Sequence, residues 1–272
     1  MHMATERGLS RRHLESCHIN HLSLDEKSFK RGHNYVSVLS SPELGIILDV
    51  EEDRTIKATE KLLNKTLNKQ QKLDVMTISI DMWKAYMKTA EKLLPNAKLV
   101  HDRFHMVKYL NEAIDKVRRI ENKSQSELLV NSRYALLKNE ENLTEKQRLK
   151  FESIKNANLE TSKAWQVREN FKSMFYQEKT LKDTYYLFKE WIESSNEMNI
   201  KAITKVVDMF QRHEVGVVHG LACKFSNAMA ERLNGKIQML KSVGRGYRTF
   251  TNFRSAILFF YGGLDLNPLN SG

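Results

Sequence analysis

Three short runs near the start of the chain, HLSLDEKSF (21–29), NYVSVLSS (34–41) and GIILDVEED (45–53), are rich in β-forming residues. Gly32 and the segment SPELG separate them, so they predict three consecutive antiparallel strands. TIKATEKLLNKTLNK (55–69) switches to helical spacing, with Ile56, Leu62, Leu63 and Leu67 on its apolar side. LDVMTISID (73–81) reads as a buried strand closed by an acid. MWKAYMKTAEKLL (82–94) reads as a helix stopped by Pro95. AKLVHD (97–102) is a second short strand closed by an acid. The order is βββαβαβ: an α/β protein with a mixed sheet flanked by helices.

From Arg103 the pattern changes. No proline occurs between Pro95 and Pro268, and no glycine from Arg103 to Glu214, which predicts continuous helices. Val107, Leu110, Ile114 and Val117 repeat at heptad-like spacing. Thr144 to Gln147 (TEKQ) has the form of a capping box. Trp165, Phe171, Tyr185, Tyr186, Phe188 and Trp191 are expected in a core. The region 103–215 therefore reads as an all-helical insertion between two parts of a sheet domain, 21–102 and 216–272. In FSNAMAERLNGKI (225–237), Asn227, Glu231 and Asn234 fall on one helical stripe, continued by Gln238. Met229, Leu233, Ile237 and Leu240 form a second, apolar stripe. A solvated surface helix explains this pattern. So does a carboxylate aimed at a cation and flanked by amides.

Composition narrows the choice. The 272 residues are 41% hydrophobic, enough for a real core. The net charge of +11 favours a polyanionic partner, nucleic acid first. Two cysteines, Cys17 and Cys223, are too few for a disulfide framework or a cysteine zinc site. No apolar run reaches membrane-span length and the charged start has no signal-peptide form, so the expected setting is cytoplasmic.

Asp25 lies in the first strand, Asp81 closes the fourth and Asp102 the fifth. A charge after an apolar strand is costly unless it reaches solvent or a cation. If the first and fourth strands are neighbours, Asp25 and Asp81 meet, and a divalent metal such as Mg²⁺ or Mn²⁺ relieves their repulsion. Glu231 is the candidate third acid, with Asn227 and Asn234 beside it. Singly, each aspartate also has an ordinary reading: Asp25 as a strand-end residue beside Glu26 and Lys27, Asp81 and Asp102 as helix caps.

The blocks LDEKSFKRGHNYVSVL, ISIDMWKAYMKTAEKLLPNAKLVHDRFHMVK and SNAMAERLNGKIQMLKSVGRGYRTFTNFR, in that order, resemble the catalytic region of ISL3-family transposases of bacterial insertion sequences, within the DDE superfamily. The resemblance implies an RNase H-like fold interrupted by a helical insertion before the glutamate helix. It implies Asp25, Asp81 and Glu231 as catalytic residues holding two Mg²⁺ or Mn²⁺ ions. It further implies cleavage of double-stranded DNA at the terminal inverted repeats of an element, strand transfer into target DNA, and a homo-oligomer assembled on that DNA. Asp102 and His105 look like the C/DxxH motif of insertion-bearing families, and are auxiliary candidates with Asn227 and Asn234. His105 has an ordinary reading too, as a helix-start residue packed on Phe104. After the glutamate helix, Lys241, Arg245, Tyr247, Arg248 and Arg254 are interleaved with Phe250 and Phe253 and are candidate DNA contacts. A helix C-cap with solvated arginines is the alternative there. Family members carry a zinc ribbon and a helix-turn-helix before this region; residues 1–20 read as the tail of such a DNA-binding part. An inactive or co-opted fragment that only binds DNA, or another RNase H-like nuclease, are the competing readings.

Overall fold

The computed structural model describes residues 1–12, 14, 17–30, 34–138, 140–177, 179–223 and 228–266. It forms two compact units, residues 1–102 with 224–272, and residues 103–223.

The first unit is built on a five-stranded mixed sheet. Its strands are β1 (His21–Ser28), β2 (Tyr35–Ser41), β3 (Ile46–Glu52), β4 (Thr77–Ile80) and β5 (Lys98–His101), in the order β3-β2-β1-β4-β5. The first three pair antiparallel; β1 with β4 and β4 with β5 pair parallel. Helices are numbered in chain order: here α1 (His2–Arg11), α2 (Ile56–Thr66), α3 (Lys69–Asp74), α4 (Lys84–Leu93), α13 (Ala228–Val243) and α14 (Phe250–Tyr261). Strand alternation splits the core in two. Leu22, Leu24, Ile78 and Ile80 pack with Leu62, Leu63, Tyr86 and Ala90 of α2 and α4. Val36, Val38, Ile47 and Val50 pack with Leu233, Ile237, Phe253 and Ile257 of α13 and α14.

The single helix expected over 55–69 is two. Leu67 turns to extended backbone, and Asn68 opens α3 with a capping box. Its side chain accepts from the Gln71 amide, while the Gln71 side chain accepts from the Asn68 amide. Leu73 and Asp74 thus finish a helix instead of starting a strand, and β4 begins at Thr77. The N-terminal segment forms α1 and packs into this unit: Thr5 Oγ1 donates to Ser255 O of α14 at 3.3 Å.

The second unit is helical: α5 (Arg103–Glu121), α6 (Ser126–Leu129), α7 (Arg133–Leu137), α8 (Glu145–Lys155), α9 (Glu160–Ser173), α10 (Leu181–Glu197), α11 (Lys201–Arg212) and α12 (Glu214–Ala222). Thr144 and Gln147 form the capping box of α8. Phe171 packs against Trp191 and Phe210, with ring centroids 4.8 and 5.2 Å away. Tyr185 and Tyr186 do not join that core. They leave the buried α10 stripe of Thr184, Phe188, Trp191, Ile192 and Ser195, and Tyr186 is 55% exposed. The unit runs past residue 215, because α12 belongs to it. Arg103 joins its two ends, donating to the carbonyls of Gly220, Leu221 and Cys223 at 3.0, 3.2 and 2.5 Å. No described helix is long and apolar enough to cross a membrane.

Candidate active site

Strand register aligns the three aspartates. Leu24 of β1 lies opposite Ile80 of β4, and Ile80 lies opposite His101 of β5. The next residue along the chain in each case is Asp25, Asp81 and Asp102. Neighbouring strands lie about 4.8 Å apart, so the three acids stand in one row, Asp25 within β1 and Asp81 and Asp102 just past the carboxyl ends of the adjacent parallel strands β4 and β5. Such ends are where open α/β sheets bind ligands.

Asp25 pairs across β2 with Val38, whose side chain lies in the core layer shared with α13 and α14. Asp25 therefore faces the α13 side, and is only 8% exposed. Its Oδ2 accepts from Asn234 Nδ2 at 2.6 Å and meets the Lys27 ammonium at 2.8 Å. Its Oδ1 accepts from the Glu26 amide at 2.7 Å. A nearly buried carboxylate is thus held by charge-assisted bonds. Asp81 Oδ1 accepts from the Met82 amide at 2.6 Å. Asp81 is not the cap of α4: Trp83 occupies that position, with no side-chain cap bond.

α13 buries Leu233 and Ile237 and turns Asn234 onto Asp25. Glu231 lies on this helix three residues before Asn234, on the same face. The side chain of Glu231 lies outside the described residues, as does all of Asn227. Among the described residues, no three His, Cys, Asp or Glu side chains form a group that could hold a metal. His105 is buried in the first turn of α5, its ring edge-on to Phe104 with centroids 5.5 Å apart. Asp102 is buried at the end of β5.

Sequence reasoning missed a cation–π cluster at Glu26, the residue after Asp25. The Arg54 guanidinium lies between the rings of Tyr35 and Trp83, 4.2 Å from each centroid, and is ion-paired to Glu26. The Trp83 indole donates to Arg54 O at 2.9 Å. Asp53, at φ 74°, makes the left-handed turn that leads into Arg54. The cluster ties β1, next to Asp25, to the turn that follows Asp81. Its one sequence signal is Trp83 two residues after a strand-end acid. Nearby, Tyr86 is fully buried and shares a 2.8 Å hydrogen bond with Ser37. Burial, with the negative charges of Glu26 and Asp25, pushes its phenol well above the ordinary range, so it stays protonated.

The basic strip after α13 divides. Lys241 Nζ donates to Ser28 O at 2.7 Å, and Arg245 and Arg248 are exposed. Tyr247 packs on Phe253, with ring centroids 5.2 Å apart. Arg254 is engaged by Asp49 through both Nε (2.7 Å) and Nη2 (3.0 Å), and by Glu6 at 3.0 Å. Arg254, an expected phosphate contact, is thus held in an internal ion pair linking α14 to β3 and α1.

α13 ends in a Schellman turn. Gly246 N donates to Lys241 O at 3.0 Å and Arg245 N to Ser242 O at 3.1 Å. Arg245, at φ 50°, occupies the left-handed position where glycine is usual. That conformation costs a side-chain-bearing residue about 1–2 kcal/mol, and glycine's greater freedom when unfolded returns about half of it. Arg245→Gly is expected to raise unfolding free energy by about 0.5–1 kcal/mol in urea titration. A less stable variant sinks this account of the turn.

Comparison with known proteins adds a family. A family model described as "Transposase", that of the ISL3 DDE transposases, matches residues 22–257. The chain is 26% identical over 243 residues to the transposase for insertion sequence element IS1001 of Bordetella parapertussis. It is 23% identical over 258 residues to the transposase for insertion sequence element IS1557 of Mycobacterium tuberculosis. Each comparison covers 85% of this chain but only 58% and 57% of the relative, so the chain spans under two thirds of the relatives' length. No solved structure matches it significantly. With the model match covering most of its residues, the chain belongs to the ISL3 family of DDE transposases.

Proposed function

We propose that the sheet unit is an RNase H-like catalytic core and that the helical unit is an insertion placed before its glutamate helix. The reaction is metal-dependent cleavage of double-stranded DNA at element ends, followed by strand transfer. The observation that carries this reading is the row of Asp25 within β1 and Asp81 and Asp102 just past the ends of the adjacent parallel strands β4 and β5, with Asn234 of α13 bonded to Asp25. The β3-β2-β1-β4-β5 order and the ties of Arg103 to the far end of the helical unit support it.

The donor chemistry fits hard divalent cations: carboxylate oxygens, no thiolate, and a carboxylate that already takes an ammonium partner. Asp25, Asp81 and Glu231 would hold Mg²⁺ or Mn²⁺, two ions in all. When bound, the ions lower the pKa of the attacking hydroxyl and stabilise the leaving oxygen. Asn234 fixes the orientation of the Asp25 carboxylate, and Lys27 balances its charge in the resting chain. Asp102 and His105 are auxiliary. Lys241, Arg245 and Arg248 contact the DNA backbone, and assembly on paired ends is as an oligomer of this chain. No protein nucleophile is needed, because the freed 3′-hydroxyl of the DNA attacks directly.

The test uses the purified chain, a labelled duplex carrying an element end, a plasmid target, and Mg²⁺ or Mn²⁺. Nicked and joined products are expected, and chelation removes both. Nicks without joining point to a plain nuclease. Binding with neither product reduces the chain to a DNA-binding fragment.

A further inference from the structure

The helical unit holds a charge arrangement that the proposed chemistry does not use. Asp115 of α5 is buried, its side chain 8% exposed, and three arginines converge on it. Arg118 donates from Nε and Nη2 to Oδ1 at 2.9 and 2.8 Å. Arg119 Nη2 lies 2.6 Å from Oδ2. Arg133, from α7, reaches Oδ1 with Nε at 3.8 Å. Burial works against this carboxylate's charge, but the bonds and charges of Arg118 and Arg119 overcome it and hold Asp115 below its ordinary range.

One carboxylate cannot balance three guanidiniums. The excess is presented outward: the Arg119 and Arg133 side chains are 67% and 53% exposed. Tyr134 continues the surface, its exposed ring within 6.0 Å of Arg133 and 5.8 Å of Lys138. Nearby Glu121 does not cancel the charge. It is turned to the start of α9, accepting from the amides of Glu160 and Thr161 and from the Thr161 hydroxyl. Arginines in the last turn of α5 also complement the helix dipole, which accounts for Arg118 and Arg119. It does not account for Arg133, on a different helix, meeting the same carboxylate.

We propose that the Asp115-centred cluster is a second DNA-backbone contact of this chain, with Arg119 and Arg133 each taking a phosphate. Arginine suits that task because its planar fork matches phosphate oxygens, and a tether to a buried acid removes part of the ordering cost of binding. The proposal rests on the reading of the chain as a DNA-acting protein, but not on its catalytic acids.

The experiment is fluorescence anisotropy of the full chain with a labelled duplex across a salt series. The double variant Arg119→Gln/Arg133→Gln is expected to lower the log–log salt slope by about 1.8, since each phosphate left unneutralised removes about 0.9. Affinity at moderate salt should fall about tenfold or more. A Lys146→Gln/Lys163→Gln control removes equal charge from the same unit and should leave the slope unchanged. Arg119→Lys/Arg133→Lys should restore most of it. An unchanged slope in the double Gln variant overturns the proposal while leaving the catalytic reading intact. So does an equal fall in the control, which would mean a diffuse field. Asp115→Asn adds a positive charge yet should weaken binding, because the arginines lose their tether; tighter binding by a variant with wild-type melting also overturns it. If the unaltered chain binds no DNA, the functional reading itself fails.

Discussion

Asp25→Asn is expected to reduce DNA cleavage by about a thousandfold or more, with little change in melting temperature. That factor corresponds to about 4 kcal/mol of transition-state stabilisation, the scale of a missing ligand to a catalytic cation. The amide keeps the shape of the carboxylate, so the core packing around Val38 and Leu233 is untouched. Asn234 can still donate to the remaining oxygen, but Lys27 loses its ion-pair partner. Asp81→Asn and Glu231→Gln should behave alike if all three hold the same ions. Asn234→Ala should cost only about 10–100-fold, the usual effect of losing a group that orients a metal ligand. This graded pattern separates ligand from orienter. An Asp25→Asn protein that nicks element ends at the wild-type rate removes Asp25 from the chemistry.

The acids behind that prediction were legible in the sequence; their adjacency was conditional. The sequence offered the meeting of Asp25 and Asp81 on the condition that the first and fourth strands are neighbours, and the parallel pairing of β1 with β4, Leu24 opposite Ile80, meets that condition. The helical stripe through Asn234 was legible as a stripe, but its direction stayed open between solvent and a cation, and only the bond to Asp25 shows Asn234 turned to the sheet. What escaped were matters of tertiary partner choice. The break between α2 and α3 was hidden because the capping residue Asn68 sits inside an otherwise helical pattern, and only its reciprocal bonds with Gln71 mark it. Tyr185 and Tyr186 were assigned to the core by residue type, yet an adjacent pair on α10 points away from the stripe through Phe188 and Trp191. The Arg54 sandwich draws on residues from four separate segments, 26, 35, 54 and 83, and no local pattern joins them.

Arg254 is the instructive case. In sequence it is one more basic residue in KSVGRGYRTFTNFR, alike in kind to Arg245 and Arg248. Its difference lies in Asp49, an inward-facing acid on β3 that needs a partner once α14 covers the strand. Arg254→Ala is therefore expected to cost about 2–4 kcal/mol of folding stability, read by urea unfolding. Breaking a buried pair by removing one member typically costs about 3–5 kcal/mol, because the other charge remains. Here the cost is tempered, since Lys65 stays 3.2 Å from Asp49 and Arg12 adds positive charge beside it. Arg254→Lys should recover only part of the stability, because an ammonium cannot reproduce the two-pronged contact with Asp49 while also reaching Glu6. The salt slope of DNA binding, measured well below the variant's melting temperature, should match wild type for Arg254→Ala, whereas Arg245→Ala/Arg248→Ala should flatten it. The opposite result, full stability with a flattened slope, would return Arg254 to the DNA surface and leave the Asp49 pair a minor contact.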